Sequence, residues 1–71
     1  MDYNHLQDEL RRIENDVVVG ERRLAELEAT VAEMKREKLD FTEREVELEA
    51  MRESQRLRQQ ERLRILSLLQ R

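Results

Sequence analysis

The sequence predicts an all-α fold in which two antiparallel helices form a coiled-coil-like hairpin, and two such hairpins dimerise into a four-helix bundle. Three observations lead to this prediction. The composition is typical of long helices, because 44% of the 71 residues are charged and the chain has one Gly, no Pro and no Cys. An apolar heptad repeat runs through the first half of the chain, and a helix-capping signature follows it near residue 41.

The first predicted helix covers residues 3–37. Its apolar residues recur at alternating steps of three and four from Tyr3 to Met34, and Gly20 is the one exception among these ten positions. Charged residues occupy the other faces, so we expect the apolar stripe to pack against a partner helix. The interface residues predicted in this helix are Leu6, Leu10, Ile13, Val17, Gly20, Leu24, Leu27, Val31 and Met34.

The predicted loop covers residues 38–42, where the repeat fails. Thr42 is the expected N-cap of the next helix, in a capping box in which its hydroxyl accepts from the backbone N–H of Glu45 and the Glu45 carboxylate accepts from the N–H of Thr42. Phe41 and Val46 are expected to pack together as a hydrophobic staple. A loop this short makes the two helices antiparallel. The alternative is one uninterrupted helix of about 100 Å in a parallel coiled-coil rod, since the loop contains neither Gly nor Pro.

The second predicted helix covers residues 43–70 and is less regular. Its expected interface residues are Val46, Leu57, Leu63, Leu66 and Leu69. Val46 and Leu57 share the face expected to meet the first helix, whereas Leu63 and Leu66 point away from it. One neighbouring helix cannot cover apolar residues spread so widely, so we expect a second copy to cover the rest. Residues 1–71 then form a single domain.

Gly20 interrupts the apolar stripe in the interior of a helix, where glycine costs about 0.5–1 kcal/mol relative to alanine. We interpret it as the point where another helix approaches closely. The alternative is a tolerated small residue that leaves a local gap.

Most of the chain, from His5 to Leu69, resembles a group of small uncharacterised helical-hairpin proteins of alphaproteobacteria. The resemblance rests on Gly20-Glu21, on Asp40 with Thr42, and on Met51-Arg52-Glu53-Ser54-Gln55 followed by Leu57. The loop of that group often has a Gly where this sequence has Lys38 or Leu39. The resemblance implies a helical hairpin in a bacterial cytoplasm, and the group has no established activity.

The sequence predicts no catalytic residue, no metal ligand and no cofactor, and therefore not an enzyme. His5 is the single histidine, and the acidic run Glu43, Glu45, Glu47 and Glu49 alternates along a helix, so its carboxylates do not converge on one ion. No apolar run approaches the roughly 20 residues of a membrane span, and no signal-peptide pattern is present. We therefore expect a cytoplasmic protein that does not enter a membrane.

The predicted function is protein–protein interaction through structural oligomerisation. A second copy of the chain is the expected partner, and another helical protein is the second candidate. The alternative is a nucleic-acid-associated protein, because six Arg and two Glu lie between Arg52 and Arg71. A net charge of −3 and the lack of aromatic residues among these arginines favour a protein partner.

Overall fold

The computed structural model describes residues 2–70 and contains two α-helices joined by a short loop. Helix α1 spans Tyr3–Arg36 and helix α2 spans Thr42–Leu69. The helices pack against each other in a hairpin that measures 53 × 14 × 14 Å. No strand is present among the described residues. The predicted all-helical, two-helix fold is therefore confirmed, and the chain turns back on itself instead of continuing as one helix.

The core of the hairpin is a single apolar seam between the two helices. Its buried apolar side chains are Leu6, Val17 and Val31 of α1 and Leu48 and Ile65 of α2. The three from α1 belong to the heptad stripe, because residues spaced by three and four lie on one side of a helix. Ile65, at 2% exposure, is the most deeply buried of the five.

Helix α1 ends in a Schellman motif that contains no glycine. The backbone N–H of Leu39 donates to the carbonyl of Met34 at 2.9 Å, and the N–H of Lys38 donates to the carbonyl of Lys35 at 3.2 Å. Lys38 adopts the left-handed conformation with φ at 57°, at the position that glycine usually occupies in this motif. The helix thus stops because its last carbonyls are satisfied locally, although the loop lacks the residues that normally enforce a stop.

Helix α2 begins differently from the prediction, and the predicted capping box is wrong. The Asp40 carboxylate accepts from the Thr42 hydroxyl at 2.7 Å and from the Thr42 backbone N–H at 3.1 Å. These hydrogen bonds, the one from the hydroxyl above all, lower the pKa of Asp40. The N–H of Glu45 donates to the carbonyl of Phe41 at 2.9 Å, so Thr42 is the first helical residue rather than the cap. The Asp40 carboxylate has therefore taken the Thr42 N–H, and the Phe41 carbonyl has taken the Glu45 N–H, so neither donor is left for the capping box.

The predicted hydrophobic staple is also wrong. Val46 is 68% exposed, and the helix start at Thr42 places Phe41 at the cap, one residue later than a staple needs. The Phe41 ring instead lies below the Lys35 ammonium, with 4.9 Å between Nζ and the ring centroid. The Glu45 carboxylate lies 3.7 Å from the same ammonium. Lys35 therefore joins the end of α1 to the beginning of α2.

Replacing Lys38 with glycine is expected to raise the free energy of unfolding by about 1 kcal/mol, because glycine adopts the left-handed conformation without the steric cost of a Cβ atom. The melting temperature should rise by roughly 4–8 °C at a fixed protein concentration. Thermal denaturation followed by circular dichroism measures this change. Lys38→Ala is the matched control, because alanine removes the charge but keeps the Cβ atom, and an equal gain from Lys38→Ala would contradict the explanation.

Candidate interaction surface

A polar contact between Gln55 and Gly20 lies in the middle of the apolar seam. Gln55 is 8% exposed, and its Nε2 donates to the carbonyl of Val17 at 2.8 Å. Its Oε1 accepts from Nη1 of Arg58 at 3.3 Å. A Cβ atom built at Gly20 would overlap this oxygen and lie 3.0 Å from Cδ of Gln55. The close approach at Gly20 is therefore made by a side chain of α2 and not by a helix backbone.

This contact sets the register of the two helices. The Gln55 amide needs a gap opposite it, and in the seam of α1 the residues before and after Gly20 are Val17 and Leu24. Sliding α2 along α1 to either of these levels would bury the amide against an aliphatic side chain without its hydrogen bond, at a cost of about 1–3 kcal/mol. A single polar residue in an apolar seam often selects one register in this way.

Polar contacts along one flank of the seam support the same register. Glu14 of α1 lies 3.6 Å from Nε of Arg62, and Gln59 donates to Glu21 at 3.4 Å. The Arg62 and Glu14 side chains are about one third and one half exposed to solvent, so their contact contributes only a few tenths of a kcal/mol. Their effect is to orient the helices rather than to hold them together.

The nine interface residues predicted in α1 all lie at the seam. Leu6, Val17, Gly20 and Val31 are buried. Five others are partly buried, namely Leu10, Ile13, Leu24, Leu27 and Met34. The partly buried residues flank the buried ones, so α2 covers only part of the apolar stripe of α1.

The predicted inward face of α2 is wrong. Val46 and Leu57, which were expected to meet α1, are both more than half exposed. Leu63, which was expected to point away from α1, is also more than half exposed, whereas Leu66 and Leu69 are partly buried. Starting at Leu48, the seam of α2 repeats in steps of three and four, and its positions are Leu48, Met51, Gln55, Arg58, Arg62, Ile65 and Leu69. Three of these seven positions are polar, and for this reason the repeat cannot be recognised from hydrophobicity. The buried residues of α2 are Leu48, Gln55 and Ile65. Their regular spacing is the one feature of the sequence that could have identified them as inward-facing.

Most arginines of α2 are paired with carboxylates of their own helix. Four of them contact a glutamate three residues away, in the pairs Arg44–Glu47, Arg52–Glu49, Arg56–Glu53 and Arg64–Glu61. Hydrogen bonds from Arg56 and Arg64 lower the pKa values of Glu53 and Glu61. This pairing leaves less uncompensated positive charge for a phosphate backbone than the arginine count alone suggests.

The flanks of the hairpin are open, shallow clefts. One cleft of about 400 Å³ opens at the middle of the hairpin and is lined by Asn15, Asp16, Val19, Gly20, Arg23, Met51, Ser54 and Arg58. Among residues 2–70, no three histidine, aspartate or glutamate side chains converge to hold a metal ion. The single histidine, His5, is exposed and its Nε2 lies 3.1 Å from Glu9.

Within the described part of the chain, neither helix combines the length and the apolar character that a membrane span requires. The cytoplasmic location stays a prediction. A comparison of the chain with protein-family models, curated proteins and solved structures finds no match. The resemblance to alphaproteobacterial hairpin proteins also stays a prediction, and the function has to be argued from the geometry of the hairpin.

Proposed function

We propose that this chain is a non-enzymatic protein-interaction module that associates with a second copy of itself, so that two hairpins form an antiparallel four-helix bundle. The observation that carries this proposal is the accessible surface of the hairpin, which is 5628 Å². A compact monomer of 8.7 kDa exposes about 4,700 Å². The excess of about 900 Å² is close to the roughly 800 Å² that each partner buries in a standard protein–protein interface.

The distribution of apolar residues supports the same proposal. A seam with five buried apolar side chains is a small core for a chain of this length, and chains below about 80 residues without disulfides or a metal usually gain stability by association. Ile13, Leu27 and Met51 remain partly exposed along one flank of the hairpin. Packing two hairpins face to face would cover these side chains and remove apolar area from water, at about 25 cal/mol for each Å².

A protein partner is also favoured over a nucleic acid by the charges of α2. Three of the arginines in this stretch, Arg52, Arg56 and Arg64, lie beside glutamates of the same helix, and the chain carries a net charge of −3. The neighbouring glutamates offset part of the positive charge that would attract a phosphate backbone.

Sedimentation equilibrium from micromolar to millimolar concentration tests the proposal. We expect a concentration-dependent mass that reaches twice the chain mass of 8.7 kDa. Small-angle scattering of the dimer should give a particle length near the 53 Å of the hairpin, because the second copy packs alongside the first. A folded chain that stays monomeric at millimolar concentration, or a particle about 100 Å long, would contradict the proposal.

A further inference from the structure

One flank of α1 carries four exposed charged residues without an ion-pair partner among residues 2–70. These residues are Arg12, Asp16, Arg23 and Glu26, and Val19 lies between them. We call these five residues the Val19 face. Most charges of α2 lie in ion pairs within the hairpin, whereas these four charges of α1 do not.

The charges of the Val19 face are arranged so that the face is complementary to itself. Arg12 lies seven residues before Val19 and Glu26 lies seven residues after it, while Asp16 lies three residues before and Arg23 four residues after. If two copies of α1 cross in opposite directions at Val19, each Arg12 meets Glu26 of the second copy and each Asp16 meets Arg23 of the second copy. A two-fold axis through Val19 therefore forms four ion pairs and brings no like charges of the face together.

We propose that the second copy docks on the Val19 face, with the two α1 helices antiparallel about a two-fold axis at Val19 and the two loops at opposite ends of the bundle. This inference rests on the proposed function and names the surface that performs it. The cleft of about 400 Å³ described above lies on this flank and is lined by Asp16, Val19, Gly20 and Arg23.

The exposed side chain of Leu57 fits the same axis. Nη1 of Arg58 lies 2.9 Å from the Cβ position of Gly20, so this part of α2 lies level with the middle of α1. Leu57 is one helical turn beyond Ser54, which lines the cleft on the Val19 side. Under the proposed symmetry, the Leu57 side chains of the two copies face each other across the axis, which accounts for a leucine that is 51% exposed in the single hairpin.

Two other ways of joining the hairpins bring like charges together. The opposite flank of α1 carries Glu14, Glu21 and Glu28, and two antiparallel α1 helices packed there would place glutamate against glutamate. Packing the Val19 face of α1 against α2 of the second copy, with both loops at one end, would place Asp16 near Glu61 of that copy. Asp16 and Glu61 already lie at one level of the hairpin, because both line the same cleft.

A charge-swap experiment tests the inference. Arg12 and Glu26 are 14 residues apart, or about 21 Å along α1, so they cannot contact each other within one chain. We expect Arg12→Glu alone and Glu26→Arg alone each to raise the dimer dissociation constant about tenfold, because two attractive pairs become repulsive. The double variant should return to within about twofold of the original value. Arg11→Glu is the matched control, since it makes the same charge change on the other side of α1 and should leave the constant unchanged.

Spin labels give an independent test of the symmetry. The chain has no cysteine, so Glu37→Cys provides one attachment site beside the loop. Loops at opposite ends should separate the two labels by a distance close to the 53 Å length of the hairpin, whereas loops at one end would separate them by no more than about twice its 14 Å width.

The outcomes distinguish the inference from the proposed function. A chain that stays monomeric overturns both. Four results would overturn the Val19 interface and leave the proposed function standing. Arg12→Glu does not weaken the dimer, or Arg11→Glu weakens it equally. The double variant does not restore the dissociation constant, or the two spin labels lie close together.

Discussion

Replacing Gly20 with leucine is expected to lower the free energy of unfolding by about 2–3 kcal/mol, because the new side chain occupies the space that the Gln55 amide fills. Gln55 would have to leave the seam and give up its hydrogen bond to the Val17 carbonyl. The melting temperature should fall by roughly 10–20 °C in thermal denaturation at a fixed protein concentration. An unchanged or higher melting temperature would show that Gly20 is merely a tolerated small residue.

A second substitution separates this cause from a general disturbance of α1. In a chain that already carries Gln55→Ala, the space opposite position 20 is empty, so Gly20→Leu can fill it with an apolar side chain. We expect the double variant to be more stable than the sum of the two single changes by at least about 1 kcal/mol. Additive effects would mean that Gly20 and Gln55 do not depend on each other.

The sequence was sufficient to predict α1 and its seam. All nine of its predicted interface residues are buried or partly buried, because apolar residues at steps of three and four leave one possible inward face. Glycine at position 20 could be recognised as a point of close approach, but the identity of the approaching group could not. That group is a glutamine, and only the packing of α2 shows that its amide fits opposite a residue without a Cβ atom.

The seam of α2 could not be predicted from hydrophobicity, because its inward positions include Gln55, Arg58 and Arg62. Each of these polar residues has a partner in the hairpin: Gln55 binds a backbone carbonyl, Arg58 donates to Gln55, and Arg62 lies beside Glu14. The apolar residues Val46 and Leu57 then suggested a face that the structure leaves in solvent. The contacts between the two helices, and not the local hydrophobic pattern of α2, determine which face of α2 is buried.

The chain turns between Arg36 and Thr42, one residue earlier than the predicted loop at 38–42, and it does so by a mechanism that the sequence did not reveal. The predicted loop relied on a capping box and on a staple, whereas the chain uses a Schellman motif with Lys38 in a left-handed conformation and a carboxylate cap from Asp40. A lysine at this position gives no local sign of positive φ. The conformation is supported by backbone hydrogen bonds to the last turn of α1, which depend on that helix having already formed.

Truncating Leu48 to alanine is expected to lower the free energy of unfolding by about 2–3 kcal/mol. Leu48 is 4% exposed and packs in the seam near the loop, so removing its side chain loses apolar burial and leaves a cavity. Val46, two residues earlier in the same helix, is 68% exposed, and Val46→Ala should change the stability by no more than about 0.5 kcal/mol. The pair compares two aliphatic side chains in the same turn of α2 that differ mainly in burial.

Urea denaturation of the two variants measures this difference. The midpoint of the Leu48→Ala variant should shift to lower urea at an unchanged slope, because the folded state keeps its surface while losing stability. A larger shift for Val46→Ala than for Leu48→Ala would mean that the inward face of α2 is the one suggested by its local hydrophobic pattern.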